Sequence, residues 1–502
     1  MDDEAPTGVR APLTPSLLRS GTFSLVTSAA PLVVALAALP VLTRMLGAER
    51  LGLLALAWAW LGYAALLDFG LGRALTRLVA ASDAGERLEA PIGAFVNTAH
   101  IMLVLVGTAV ALTGALLSPW YVTRVLAVTA DLRSDALVSA ILFAMTVPAV
   151  TGASAPRAVL EARHRFRDVN LVRLPVSVGT FAVPLLLLPI TASLTVIAAT
   201  LAVIRVWAWW RYTTLARLEI PEGAGDAASR AHLRPLLRAG AWMTVSSVLS
   251  PLMTFADRFL IGSLISVSAV ALYAVPWEAV TKLWIVPGAL TMVLFPALVR
   301  LFRSAPEQVT VLNSASVRLM TVLVVPVCSI ACLLAPWLLR LAGGTEYLSA
   351  SVTVLRILAI GVAANCIVAV PFTLLQASGH ARTTATLHLI EIIPFVLLLW
   401  FAVTRYGIVG AAAAWTTRVL VDAALMAWRA QAIAPLATST LVFCASGITM
   451  VAASAWLGAA ATESSRMPLM AACLMVFAIP AALWSQRNSA ERLVVERFGG
   501  AS

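Results

Sequence analysis

Along most of this chain, apolar residues come in unbroken runs of about 20, the length a ~30 Å hydrocarbon core demands of a helix rising ~1.5 Å per residue. Short charged or turn-rich breaks separate the runs. They do not alternate polar with apolar residues, so they do not describe the strands of a membrane barrel. Read between breaks, they predict spans over residues 21–43, 51–70, 93–117, 136–155, 171–189, 192–210 and 239–262. A second set follows over 268–298, 316–339, 350–376, 383–403, 408–428, 437–458 and 467–485. Pro189-Ile190-Thr191 joins the fifth span to the sixth as a tight helical hairpin. The pattern predicts an all-α integral membrane protein of about fourteen helices.

Composition agrees with that reading. Of 502 residues, 61% are hydrophobic and only 12% charged, and a soluble surface on a chain of this length needs more polar cover. The formal charge of +11 would raise nucleic-acid binding in a soluble protein. Here the cations sit in short connections and act as topology signals, so no nucleic-acid partner is expected.

With the N-terminus in the cytoplasm, the cytoplasmic segments hold Arg10, Arg19, Arg73, Arg77, Arg87, Arg157, Arg163, Arg165, Arg167, Arg173, Arg211, Arg217, Arg230, Arg234 and Arg238. They also hold Arg300, Arg303, Arg318, Arg382, Arg429, Arg487, Arg492 and Arg497, against Arg44, Arg50, Arg124, Arg133, Arg340, Arg405 and Arg466 on the other side. That 23-to-7 bias predicts both termini in the cytoplasm. The first run is too long for a cleaved signal and is read as a retained span. The longest connection, residues 211–238, leaves no room for a soluble catalytic domain, which argues against a membrane polymerase or ligase.

Cys328, Cys332, Cys366, Cys444 and Cys473 all fall inside apolar runs and read as small buried hydrophobes rather than a disulfide or metal framework. The histidines show no HxxxH or HExxH spacing. No metal or cofactor is expected.

A short internal repeat gives the chain two halves. Leu17-Leu18-Arg19-Ser20-Gly21 returns as Leu236-Leu237-Arg238-Ala239-Gly240, each before a span, with Pro31 and Pro251 about ten residues on. At the same separation, Leu46 to Leu54 lies over Ile265 to Tyr273. Two six-span halves in the same orientation are related by an axis along the membrane normal, with the substrate site between them. The expected organisation is a cytoplasmic N-terminus (1–20), a first bundle (21–211), a linker (212–238), a second bundle (239–429), two added spans (430–485) and a cytoplasmic tail (486–502).

These same stretches carry a family resemblance. Residues 41–80, with Arg44, Leu46-Gly47, Gly52, Asp68-Phe69-Gly70-Leu71-Gly72 and Arg77, resemble the opening of the polysaccharide exporters and oligosaccharide flippases of the multidrug/oligosaccharidyl-lipid/polysaccharide exporter superfamily. Residues 236–275 repeat the likeness with Asp257-Arg258, Ile261-Gly262 and Tyr273, and Phe295-Pro296 matches as well. The departure is Ala271, where the family pattern has glycine. The resemblance implies a V-shaped pair of bundles around a cavity that opens alternately to the two faces. It implies a polyprenyl-pyrophosphate-linked oligosaccharide as cargo, moved to the outer leaflet of a bacterial inner or plasma membrane. Polysaccharide polymerase and glycosyltransferases would be functional partners. The alternatives are an ion-coupled multidrug exporter of the same superfamily and a flippase for the peptidoglycan lipid precursor.

An ionisable group at mid-bilayer costs a few kcal/mol unless it is paired or faces water, so each is a candidate. Glu278 and Lys282 lie four residues apart on one helix face. They line a cavity, where Lys282 meets a pyrophosphate or Glu278 takes a proton, or they form a self-neutralised pair. Adjacent Asp257 and Arg258 point about 100° apart, so one is expected to face the cavity and the other to pair across helices. Asp68, Arg73 and Arg77 flank Gly70-Leu71-Gly72 at the cytoplasmic end of span two. They read as a gate for a phosphate head or as headgroup anchors. Arg44 joins the cavity and gate candidates through the resemblance. Arg418 and Asp422 repeat the four-residue spacing and read as helix packing. Glu391 has no partner on its own helix and is, with Glu278, a candidate for ion coupling to a proton or sodium gradient, with Arg356 as its cross-helix alternative. Arg205 is expected to snorkel, and Trp58, Trp60, Trp207, Trp209 and Trp210 to pack or anchor at the interface.

Overall fold

A computed structural model of the chain describes residues 15–68, 70–83, 90–126, 128–220, 249, 252–344 and 350–460, with the side chains of 15–29, 73 and 81 left aside. Every regular element among them is helical. Ten of these helices are long and apolar enough to cross a membrane. The expected span 467–485, half of 239–262 and the second copy of the repeat at 236–240 lie outside the described residues.

The first helix, α1 (Pro15–Leu66), covers two of the expected spans and breaks at Gly47, which takes φ 74° and ψ 165°. That conformation is open to glycine and strained for other residues. The chain then turns through residues 67–70 into α2 (Leu71–Asp83). The apolar runs end the second span at residue 70 and predict no separate helix here. This short helix is amphipathic: Leu71, Leu75 and Val79 are buried at four-residue intervals, while Arg77 is exposed. Thirteen residues are too few to cross the bilayer. The buried face packs on Ile92, Phe95, Ala155 and Val159.

Helix α3 (Ile92–Trp120) runs into a π-helical turn at Tyr121–Val125. The expected span 136–155 is three segments, α4 (Ala130–Met145), α5 (Val147–Gly152) and α6 (Ser154–Ala162). Pro148 and Pro156, which cannot donate backbone hydrogen bonds, mark the later segments. Helices α7 (Phe166–Leu187) and α8 (Leu194–Arg217) form the hairpin through Pro189-Ile190-Thr191. Arg205, expected to snorkel, is 9% exposed and donates to the Leu201 carbonyl of its own helix at 3.2 Å.

The second half begins with α9 (252–264) and α10 (Val267–Thr281). A 3-10 turn at Lys282–Trp284 links α10 to α11 (Ile285–Ser304). Then come α12 (Pro306–Leu333), α13 (Ala335–Gly343), α14 (Ala350–Ala377), α15 (Ala381–Gln431) and α16 (Thr438–Ala460). Helix α15 breaks at Gly407, φ 60° and ψ −140°, between the two spans expected there. A Cβ on Gly410 would stand 2.0 Å from the Ala402 carbonyl oxygen. Residues eight apart lie about 12 Å apart in a straight helix, so the chain doubles back at Gly407.

Helices α1 to α8 pack mainly on one another, as do α10 to α16, and α1 also packs on α10 and α13. The contact between the two sets is close. A Cβ on Gly52 would meet the Val267 carbonyl oxygen at 2.0 Å, so only glycine permits this approach. Many large apolar side chains point outward, among them Leu116, Leu186 and Ile190, each at least 70% exposed. Such a surface suits lipid and not water.

Candidate functional site

The charged residues of α9 and α10 form one cluster where the two sets of helices meet. Arg258 Nη2 lies 3.6 Å from Glu278 Oε1, and Lys282 Nζ lies 2.6 Å from Glu278 Oε2. Glu278 therefore serves both cations, the second through the four-residue spacing on its own helix. Asp257 is fully buried and accepts a hydrogen bond from the Tyr273 hydroxyl. It also accepts from the Arg258 backbone N–H at 2.7 Å. The expectation that one of Asp257 and Arg258 faces a cavity while the other pairs is not met. Both bond to side chains of α10.

Aromatic rings complete the cluster from both halves. The Arg258 guanidinium lies 5.0 Å from the Trp277 ring and 5.3 Å from Phe255. Lys282 Nζ sits 4.8 Å from the Phe181 ring of α7, which packs on Trp58 of α1 at 4.8 Å. Tyr63 of α1 stacks on Phe259, packs edge-on against Phe255 and donates to the Leu252 carbonyl at 2.9 Å. Arg258 is 3% exposed, yet its Nη1 has no hydrogen-bond partner. A buried donor left unpaired costs ~1–3 kcal/mol, so the cluster holds an unfilled bonding position. Lys282 is 24% exposed. Formally the four charged side chains cancel. An anion entering here would have to draw Arg258 or Lys282 away from Glu278.

The other candidates lie apart from this cluster. Arg44 Nη2 donates to the Leu341 carbonyl at 2.9 Å, at the C-terminal end of α13, beside a Thr43 hydroxyl bond to the Ala342 carbonyl. A cation at a helix C-terminus is favoured by the helix dipole. Asp68 Oδ1 accepts from Gly70 N–H at 2.9 Å and caps the turn into α2, where Gly70 takes φ 69°. The break expected at Gly70-Leu71-Gly72 is there, and Asp68 shapes it. Arg77 is exposed on α2, and the side chain of Arg73 is outside the described set.

Glu391 belongs to a separate buried group in the second half. Its Oε2 lies 3.6 Å from Arg418 Nε across the α15 hairpin, and His388 Nε2 lies 3.7 Å from Asp422 Oδ1. Arg356 is not its partner. That guanidinium donates to the Cys332 carbonyl at 3.2 Å and to the Gly458 carbonyl, tying α12, α14 and α16 together. Arg418 and Asp422, read from spacing as a pair, each take a partner on the facing arm instead. His388, Phe181 and Tyr63 escaped the sequence reading because cross-helix contacts leave no trace in spacing, and Tyr273 entered it through the resemblance.

Trp58 packs, as expected, and Trp210 is exposed at 57%. No group of three or more His, Cys, Asp or Glu able to hold a metal occurs among the described residues.

Comparison with known proteins bears out the resemblance. The family model described as "Polysaccharide biosynthesis protein" matches residues 18–302. A Shigella flexneri protein named as an O-antigen transporter is 30% identical over 415 residues, covering 82% of this chain and 97% of its own. Among solved structures, the lipid II flippase MurJ in an inward closed conformation superposes with a TM-score of 0.71 at 10% identity, covering 93% of this chain and 98% of that one. An inward-facing multidrug resistance MATE family transporter of the MOP superfamily gives 0.65 at 15% identity, covering 86% and 98%. At such identities the structures speak for the fold alone: an all-helical membrane protein of the MurJ and MATE type. The chain belongs to the polysaccharide biosynthesis protein family, a transporter family and not one of enzymes.

Proposed function

We propose that this protein carries a polyprenyl-pyrophosphate-linked oligosaccharide from the cytoplasmic to the outer leaflet, by alternating access of its two halves, for cell-surface polysaccharide assembly. Family membership and the relative's name support the cargo class. The observation that carries the reading is the buried Arg258, with an Nη1 free of partners, beside the part-exposed Lys282 at the junction of the halves. Arginine's planar fork suits pyrophosphate oxygens, and a lysine adds a point charge.

The energetics run the same way. Saccharide hydroxyls lose their water in hydrocarbon, so the headgroup needs a polar path. An inside-negative potential pushes an anion outward by ~2.3 kcal/mol per charge per 100 mV.

In this reading the chain crosses the membrane about fourteen times, with both termini cytoplasmic, in a bacterial inner or plasma membrane. The breaks at Gly47 and Gly407 support that number, since each divides one long helix where two spans were expected. The arginine bias supports the orientation. Glu278 and Glu391 are the coupling positions. Polysaccharide polymerase and glycosyltransferases work on either side of the transport step.

Gene deletion tests the cargo. Surface polysaccharide should disappear while its lipid-linked unit accumulates on the cytoplasmic side. Intact polysaccharide with new drug sensitivity would overturn this reading in favour of a multidrug exporter.

A further inference from the structure

A second site lies beside the charged cluster and has no part in the reading so far. A cavity of about 280 Å³ opens between the second arm of α1, the end of α3 with its π-helical turn, and the second half of α4. Its wall includes Leu53, Ala57, Trp60, Tyr121, Phe143 and Phe259. The wall's serine hydroxyls are already committed: Ser118 donates to the Gly114 carbonyl at 2.7 Å and Ser139 to the Asp135 carbonyl at 2.6 Å. A water held here would find too few partners, since buried waters need about two to four. The volume is roughly twice that of the ~150 Å³ apolar cavity that takes up a benzene ring, which is room for a short stretch of flexible hydrocarbon. Wall residues Leu117 and Trp120 are 52% and 58% exposed, so the mouth faces the lipid.

We infer that this cavity seats the polyprenyl chain of the carrier lipid, a subsite distinct from the charged cluster that receives its pyrophosphate. The inference rests on the proposed function for the identity of the chain. One observation favours the carrier over a bulk phospholipid. Phe259 lines the cavity and directly follows Arg258, so the apolar chamber adjoins the cations that suit a diphosphate. The cavity also lies toward the arginine-poor ends of its helices, the side assigned to the outer leaflet.

The test uses the full chain in phospholipid nanodiscs, with a diazirine-bearing polyprenyl diphosphate in one arm and a diazirine-bearing phosphatidylcholine in the other. The polyprenyl probe should label residues 53–60, 114–122 and 136–144. Ala140→Phe, which fills the cavity, should cut that labelling at least tenfold. Leu117→Trp should do the same from the lipid-exposed mouth, where no core packing opposes the larger ring. Unlabelled polyprenyl diphosphate should displace any phosphatidylcholine label from these segments. Labelling elsewhere, labelling unchanged in both variants, or a phosphatidylcholine label that the carrier does not displace would overturn the inference. Binding of a short-chain diphosphate, measured on the same proteins, separates the two sites. Loss of that binding in Arg258→Gln supports the charged site independently of the cavity. Its persistence counts against the charged site and leaves the labelling result to stand alone.

Discussion

At the scale of single residues, Glu278 is the side chain on which the charged cluster turns, because it is the counter-ion of both Arg258 and Lys282. Breaking a buried ion pair by removing one partner costs ~3–5 kcal/mol, and the partial exposure of Glu278 and Lys282 puts this case toward the lower end. Glu278→Gln should therefore lower the thermal unfolding temperature of the detergent-solubilised protein more than Lys282→Met does. An equal or smaller drop would mean that the carboxylate is not the hub. Arg258→Lys keeps the charge and loses the planar fork. It should leave the protein at normal level yet fail to restore surface polysaccharide to a deletion strain, and full complementation would remove Arg258 from the cargo path. The Glu278–Lys282 contact was legible from four-residue spacing. The same spacing misled at Arg418 and Asp422, whose partners Glu391 and His388 stand on the other arm of α15. Helix periodicity sees its own helix only, and a hairpin brings in partners from outside it. A double-mutant cycle on Glu391→Gln and Arg418→Gln checks the structural pairing, with an expected coupling of ~0.5–3 kcal/mol in unfolding free energy. Additive effects would show that the two side chains act separately.

At the scale of elements, the helices were largely legible because hydrocarbon leaves a chain no other way to satisfy its backbone. What apolar runs could not show is how a span ends. Residues 51–70 read as one span, yet Asp68 and Gly70 close it early and Leu71, Leu75 and Val79 begin a separate amphipathic helix. The break at Gly407 shows how much one residue sets. Its φ of 60° with ψ of −140° is a conformation that costs other residues ~1–3 kcal/mol. Gly410 meets a harder limit, because its Cβ would fall 2.0 Å from the Ala402 carbonyl. Backbone cannot yield as a side-chain tip does. Gly410→Ala should thus destabilise the protein more than Gly407→Ala, read as the ratio of folded to aggregated protein on heating. The opposite order would mean that the turn, and not the packing of the two arms, holds the hairpin.

At the scale of the whole molecule, several close contacts between the halves lie toward one end, while Tyr63 meets Leu252, Phe255 and Phe259 farther along α1. Thr43 and Arg44 bond the carbonyls that close α13, Gly52 abuts Val267, and Gly262 comes close to Leu56 and Leu126. All belong to the arginine-poor side. Toward the arginine-rich ends, the described apolar clusters stay within one half each: Leu71, Phe95 and Val159 in the first, Leu375, Leu387 and Met426 in the second. The described conformation is therefore closed at the end assigned to the outside, and transport by alternating access requires that end to part. Arg44 makes only exposed bonds to backbone, so Arg44→Ala should leave folding intact and favour the parted form. Gly52→Ala attacks the same seam through sterics, where a methyl group meets the Val267 carbonyl. A cysteine at Thr43 and another at Ala342, in a cysteine-free background, should be joined by a short bifunctional reagent. That cross-link should stop the appearance of polysaccharide at the surface, with reduction restoring it if the linker is cleavable. Arg44→Ala should slow the cross-linking severalfold. Transport that continues at full rate with the two positions joined would mean that the seam does not open, and that the cargo passes by a route other than between the halves.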